Sequence, residues 1–202
     1  MAEILPSILV KTHEELLEKV RKFEASYEVA HLDIADGIFV PNKTIDGPAE
    51  IENLETDMLF RVHLMVSKPE NHIARWLETP VDSITFHAEA TQKYGMIIDA
   101  VKEGERQVGI ALNPKTSHET IREFVNLLDF VHFMTVEPGF YGGKFLPEVI
   151  DKIGDFHYYY PDKLIIVDGG VNPDNIVKLK EAGATQFVVG TAIDKFANHP
   201  IT

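Results

Sequence analysis

Eight short runs rich in Val, Ile, Leu and Phe recur at fairly even intervals along this chain, and the charged segments between them carry apolar residues at helical spacing. That alternation commits the chain to βα units. The expected strands are Ile4 to Leu9, Val29 to Ile34, Met58 to Met65, Asp82 to Phe86, Gln107 to Leu112, Phe130 to Thr135, Leu164 to Val167 and Gln186 to Val189. Helices are expected over His13 to Ala25 behind a Thr12 cap, over Pro69 to Leu77, and over Asp174 to Ala182, with Pro173 at the opening and Gly183 at the close. No linker, charge block or low-complexity tract divides the chain, so one domain over residues 1–202 is expected.

Eight βα repeats can close into a barrel or open into a doubly wound sheet, and periodicity alone does not separate the two. The placement of chemistry decides. Residues able to bind or catalyse stand at the ends of nearly every strand in turn, which a sheet with one switch-point crevice does not require. A (β/α)₈ TIM barrel is therefore expected, short at 202 residues against about 250 for the class.

A net charge of −13 disfavours nucleic acid and anionic membranes as partners, and no run approaches the ~18 apolar residues of a membrane span. Met1, Ala2 and Glu3 lead into a short apolar run broken by Pro6, without the basic and apolar regions of a secretion signal, so a cytoplasmic home is expected. Cysteine is absent, which removes disulfides, thiolate metal sites and Cys nucleophiles together. A metal here has to use His and carboxylate.

In HLDIADG, His31 and Asp33 are two apart at the end of the second strand, and the period of two puts both on one face. His63 and Met65 form the corresponding pair on the third strand, and Asp168 follows the apolar seventh. His31, Asp33, His63 and Asp168 together suit Zn²⁺, Mn²⁺ or Fe²⁺. Glycine-bearing loops after the sixth, seventh and eighth strands hold Gly142, Gly169, Gly170 and Gly190 with Thr191, where barrels commonly bind phosphate. His132, two before Met134, reads as a deeper core histidine, and His87 as a support residue or a structural one. His13, His72, His118, His157 and His199 read as solvated surface.

The segments PSIL, HLDIADGIFVPN, HLMVSKPE, TFHAEA, VHFMTVEPGFYGGKF, VDGGVNPDN and VVGTAI, in this order from residue 4 to about residue 193, resemble the ribulose-phosphate 3-epimerases. The resemblance implies that His31, Asp33, His63 and Asp168 ligate a divalent metal, and that Asp33 and Asp168 double as the acid/base pair. It also implies that Ser7, His63, Met65 and Met134 line the substrate site, and that Gly142, Gly169, Gly170, Gly190 and Thr191 hold the phosphate of a ketose. The reaction so implied interconverts ribulose 5-phosphate and xylulose 5-phosphate. One base takes a proton from the carbon beside the ketone and the other returns one to the opposite face.

The chain departs from the family pattern at several points. Ala35 replaces a usual methionine and leaves more room, keeping a hexulose-phosphate 3-epimerase of the allulose 6-phosphate kind in play. Ile38 replaces a common histidine, while Tyr141 and Gly143 alter a usual Gly-Gly-Gln, which bears on phosphate grip and lid behaviour. The last helix, Thr191 to Ala197, is short, so a partner subunit covering that flank is expected, making the protein a homo-oligomer. A Schiff-base aldolase needs a lysine at a strand end, and a decarboxylase of the orotidine-phosphate type needs Asp-x-Lys-x-x-Asp; neither is present. A non-catalytic sugar-phosphate binder is the remaining rival.

Overall fold

The computed structural model describes residues 3–196. Eight parallel strands close into a barrel in sequence order. They are β1 (Glu3–Ile8), β2 (Val29–Ala35), β3 (Leu59–Met65), β4 (Val81–His87), β5 (Gln107–Leu112), β6 (Phe130–Met134), β7 (Leu164–Asp168) and β8 (Gln186–Val189). The connecting helices are α1 (His13–Phe23), α2 (Pro48–Glu52), α3 (Ile73–Leu77), α4 (Tyr94–Glu103), α5 (Val149–Tyr159), α6 (Ile176–Glu181) and α7 (Ile193–Phe196). Two 3₁₀ turns, His118–Ile121 and Val125–Leu127, replace a helix between β5 and β6.

Each expected strand is present, with ends displaced by one residue or so. Thr12 caps α1 as expected, its hydroxyl accepting from Glu15 N at 3.2 Å. The expected helix from Pro69 is divided: a 3₁₀ turn over Pro69–Asn71 gives way at His72 to α3. The helix expected from Asp174 starts later, because the Asn172 side chain accepts from Asp174 N (2.9 Å) and Asn175 N (3.3 Å) and holds that stretch as a turn. The end of the expected last helix, at Ala197, lies outside the described residues.

The two faces of each strand have separate tasks. Outward residues such as Leu32, Ile34, Val62, Leu64 and Phe86 share one apolar core with Leu16, Val20 and Phe23 of α1 and Ile97, Ile98 and Val101 of α4. Each such burial contributes about 1.5–3 kcal/mol. Inward residues are tied together by register: Ser7 pairs with His31, Asp33 with His63, Ala111 with His132, and Met134 with Asp168. Since paired residues share a face, these side chains all enter the barrel from its wall.

Candidate active site

The C-terminal ends of the strands surround a cavity of about 320 Å³ lined by Ser7, Asp33, Met65, Met134 and Asp168 on one side and by Gly142, Gly169, Gly170, Gly190 and Thr191 on the other. The mouth thus brings together the expected substrate-site residues apart from His63. His31 and His63 lie beneath, almost wholly buried. Lys195 of α7 also lines the cavity, a cation that the strand pattern gives no reason to select.

Two glycines are required by their surroundings. Gly169 has φ +113°, and a Cβ there would stand 2.5 Å from Val136. A Cβ on Gly190 would stand 2.7 Å from the Tyr141 ring. That ring belongs to the β6–α5 loop and crosses to β1, where its hydroxyl donates to Ser7 O (2.7 Å) and accepts from Leu9 N (2.9 Å). Asn42 makes a second tie over the mouth, donating from Nδ2 to Gly139 O at 2.8 Å. Tyr141, first notable only as a departure from a motif, is therefore a latch on the rim.

Ala35 does not line the cavity. It is buried in a small apolar cluster with Val40 and Met65, against which Leu9 and Phe39 pack. Asp36, next in the chain, is structural: Oδ1 accepts from Ile38 N and Phe39 N, and Oδ2 accepts from Ser67 N, pinning the β2 loop to the end of β3.

Below the cavity the two carboxylates share imidazole neighbours. His63 Nδ1 lies 3.0 Å from Asp33 Oδ1 and 3.7 Å from Asp168 Oδ2, and His31 Nε2 lies 3.5 and 3.8 Å from the same two atoms. Ser7 Oγ donates to the other oxygen of Asp33 at 2.8 Å. The carboxyls titrate far apart. Burial works to raise Asp33, but the charge on His31 and the contacts from His63 outweigh it and hold the group well below the usual carboxylate range. Asp168 is pushed up to about 7, by burial first and the Asp33 charge second, against the pull of His31. One carboxylate is thus ionised while its partner sits near neutrality.

A chain of contacts orients His63. Burial works to raise Glu89, but hydrogen bonds from the His87 and Thr116 side chains and from Asn113 N pull it down to about 2, so it only accepts. His87 Nδ1, 3.2 Å away, must carry the hydrogen it accepts. His87 Nε2 lies 2.8 Å from His63 Nε2, and where Nδ1 alone carries the His87 hydrogen it accepts the hydrogen of His63 Nε2. Burial pulls His63 down to about 4, which favours its neutral form. His63 Nδ1 and Asp33 Oδ1 stand 3.0 Å apart, and a cation between them would take the place of the proton that otherwise joins them.

Both ring nitrogens of His31 and both of His132 are buried without a hydrogen-bond partner. Buried imidazoles facing carboxylates are, once deprotonated, a donor set suited to a divalent ion. Among the described residues the set whose ligand atoms all lie within 4.8 Å of one another is His31, His63, His132 and Asp168. It contains three of the four ligands expected from sequence and takes His132 where Asp33 was expected. Asp33 stands beside it, held by Ser7 and His63. His132 is as deep as expected, yet its Nε2 reaches to 3.4 Å from Asp168 Oδ2 and its ring centre to 4.7 Å from that of His63. Glu89 was not singled out from sequence; its i, i+2 spacing from His87 in TFHAEA was the available signal.

The profile of the ribulose-phosphate 3 epimerase family matches residues 3–194. A protein of Schizosaccharomyces pombe named ribulose-phosphate 3-epimerase is 37% identical over 198 residues, covering 95% of this chain and 86% of the relative. A Bacillus subtilis protein of the same name is 36% identical over 201 residues, covering 96% and 92%. Solved barrels of similar shape include a 3-hexulose-6-phosphate synthase, with TM-score 0.71 at 17% identity over 96% of this chain and 92% of that one. A mutant tryptophan synthase α-subunit from Pyrococcus furiosus has TM-score 0.72 at 14% identity, covering 98% and 92%. Those two likenesses concern the fold alone.

Proposed function

This chain belongs to the ribulose-phosphate 3-epimerase family, and from that premise we propose that it interconverts D-ribulose 5-phosphate and D-xylulose 5-phosphate through an enediolate, with a divalent metal ion in the site. The observation that carries the reading is the pair Asp33 and Asp168: both lie within 4 Å of the same two imidazole nitrogens, on strands three places apart around the barrel, with acidities driven in opposite directions.

Inverting a carbon next to a ketone needs a base on one face and an acid on the other. Asp33, oriented by the Ser7 hydroxyl, accepts the proton in one direction; Asp168 delivers one to the opposite face. In the reverse direction the roles exchange. His31, Asp33, His63 and Asp168 would hold the ion, and the His87–Glu89 relay presents the His63 lone pair to it. When bound, a Zn²⁺, Mn²⁺ or Fe²⁺ ion supplies Lewis-acid stabilisation of the negative charge that develops on the ketone oxygen. Met65 and Met134 wall the reacting carbon, while Gly142, Gly169, Gly170, Gly190 and Thr191 receive the phosphate at the far side of the cavity. Because Ala35 stands outside the cavity lining, its small side chain gives no ground for preferring a hexulose over a pentulose phosphate. A homo-oligomeric state, a cytoplasmic setting and a place in pentose phosphate metabolism belong to the same reading. Among the described residues no helix is long and apolar enough to cross a membrane.

The test is Asp168→Asn in metal-replete protein. We expect a folded variant, by circular dichroism, whose turnover falls at least ~10²-fold in both directions, the usual scale of acid–base catalysis. Wild-type turnover in deuterated water should label the inverted carbon. Turnover above about a tenth of wild type in the variant, against that ~10²-fold scale, or unlabelled product, overturns the two-base assignment.

A further inference from the structure

We propose that His132 is a third imidazole ligand of the divalent ion, so that His31, His63 and His132 grip it together with carboxylate. The inference rests on the metal reading above and changes its chemistry, from two nitrogen donors to three.

His132 lies on the inner face of β6, paired in register with Ala111 and Ile166. It has no solvent exposure, and neither ring nitrogen has a hydrogen-bond partner. A core histidine ordinarily earns its place by hydrogen bonding, because an unpaired buried polar atom is destabilising where an apolar side chain of similar size is not. Neighbouring interior positions on β6 and β7 are Phe130 and Ile166, so this part of the barrel accepts apolar side chains readily. An unsatisfied imidazole in their company needs another reason.

The surroundings of the ring supply one. Its Nε2 is 3.4 Å from Asp168 Oδ2, and its ring centre is 5.3 Å from that of His31 and 4.7 Å from that of His63. One ligand atom from each of the four residues lies within 4.8 Å of every other, near enough for a single ion to draw them in to bonds of ~2.0–2.2 Å. The donors come from β2, β3, β6 and β7, so they approach from different sides of the barrel. Three imidazoles shift the site toward metals that prefer nitrogen, such as Zn²⁺ and Fe²⁺, and away from Mn²⁺, which favours oxygen.

The experiment compares wild-type protein with His132→Leu, each stripped by chelator and reloaded with Zn²⁺. X-ray absorption at the zinc edge should count three imidazoles in the wild type and two in the variant. Competition with a zinc-binding dye should show affinity falling by at least ~100-fold, more than the loss that follows removal of groups which merely orient a ligand. The stripped variant should melt no lower than stripped wild type, since the ring it lacks had no partner; a structural histidine would give the opposite. His132→Gln, polar but a poor ligand, should lose zinc as the leucine variant does. Two imidazoles in the wild type, with unchanged affinity in the variants, overturns this inference and leaves the epimerase reading standing. A wild type that binds no divalent ion overturns both this inference and the metal part of that reading. If neither variant folds, the imidazole count in the wild type decides alone.

Discussion

In the lower half of the barrel interior Leu5, Phe130, Ile166 and Val188 pack against one another, and the notch left by Gly109 faces the Phe130 ring so closely that a Cβ there would come within 2.0 Å of it. Arg61 closes this end with its charge fully matched, donating to Asp82 Oδ2 at 3.1 Å and Gln186 Oε1 at 2.8 Å. Higher in the barrel the interior carries His31, Asp33 and His63, with His132 and Asp168 each two residues beyond Phe130 and Ile166, and here four imidazole nitrogens are unpartnered and two carboxyls driven apart in acidity. The same βα scaffold is chiefly apolar below and crowded with titratable groups above. Barrel enzymes place stability at the N-terminal ends of the strands and chemistry at the C-terminal ends, and here apolar packing and titratable groups divide along that line.

The comparison breaks first at Phe130. Replacing it with Ala should cost about 3–5 kcal/mol of stability, the range for emptying a well-packed aromatic site. The turnover of the surviving folded fraction should stay within about threefold of wild type, since less than ~1 kcal/mol reaches the barrier. Urea unfolding and steady-state kinetics on the same samples check both. A large fall in turnover at unchanged stability would show that the lower layer takes part in the chemistry.

Glu89 sharpens the boundary, because it stands beside the upper layer yet should act partly as a structural residue. Its carboxyl is pulled down to about 2 from an ordinary value near 4.5, by His87, Thr116 and Asn113 against the effect of burial. A depressed carboxyl pKa gives stability that is present above the unfolded value and lost as pH falls through the folded one. Glu89→Gln should therefore cost about 1–2 kcal/mol at pH 7, discounted for partial exposure. The gap between variant and wild type should hold down to about pH 4.5 and narrow below it, toward about pH 2. Urea midpoints measured at pH 7, 4.5 and 3 test the sign, on the scale of about 1.4 kcal/mol per pKa unit. A gap that widens on acidification contradicts it.

The strands and their inner faces were legible from sequence because a parallel strand in a barrel is apolar on the face that meets the helices, so that a His or Asp standing two residues from another is conspicuous. His31 with Asp33 and His63 with Met65 were found in that way. The height of one strand's residues relative to another's was not legible. Strands in a barrel tilt by about 36° and are staggered, so an offset of two from Met134 does not say how deep His132 lies beside His63. Glu89 escaped because it acts through His87 from a turn after β4, and Tyr141 because its partner Ser7 is 134 residues away in sequence. Contacts that close the barrel mouth join its first and late strands, and no local pattern records them.

Tyr141 gives the smallest expected effect and tests where the upper layer ends. Its hydroxyl ties the β6–α5 loop to β1 through Ser7 O and Leu9 N, while its ring rests over Gly190 at the side of the cavity assigned to phosphate. Burial holds the phenol up at about 12, so it stays a neutral donor across the working pH range and cannot serve as a base there. Tyr141→Phe keeps the ring and removes only the latch, a loss of about 0.5–1.5 kcal/mol. Because the loop carries Gly142 and none of the proton-transferring groups, that energy should be lost from substrate binding. KM for the sugar phosphate should rise ~3–10-fold with turnover within about twofold, the signature of removed uniform binding. A fall in turnover at constant KM would instead place the hydroxyl's influence on Ser7 and, through its hydrogen bond, on Asp33.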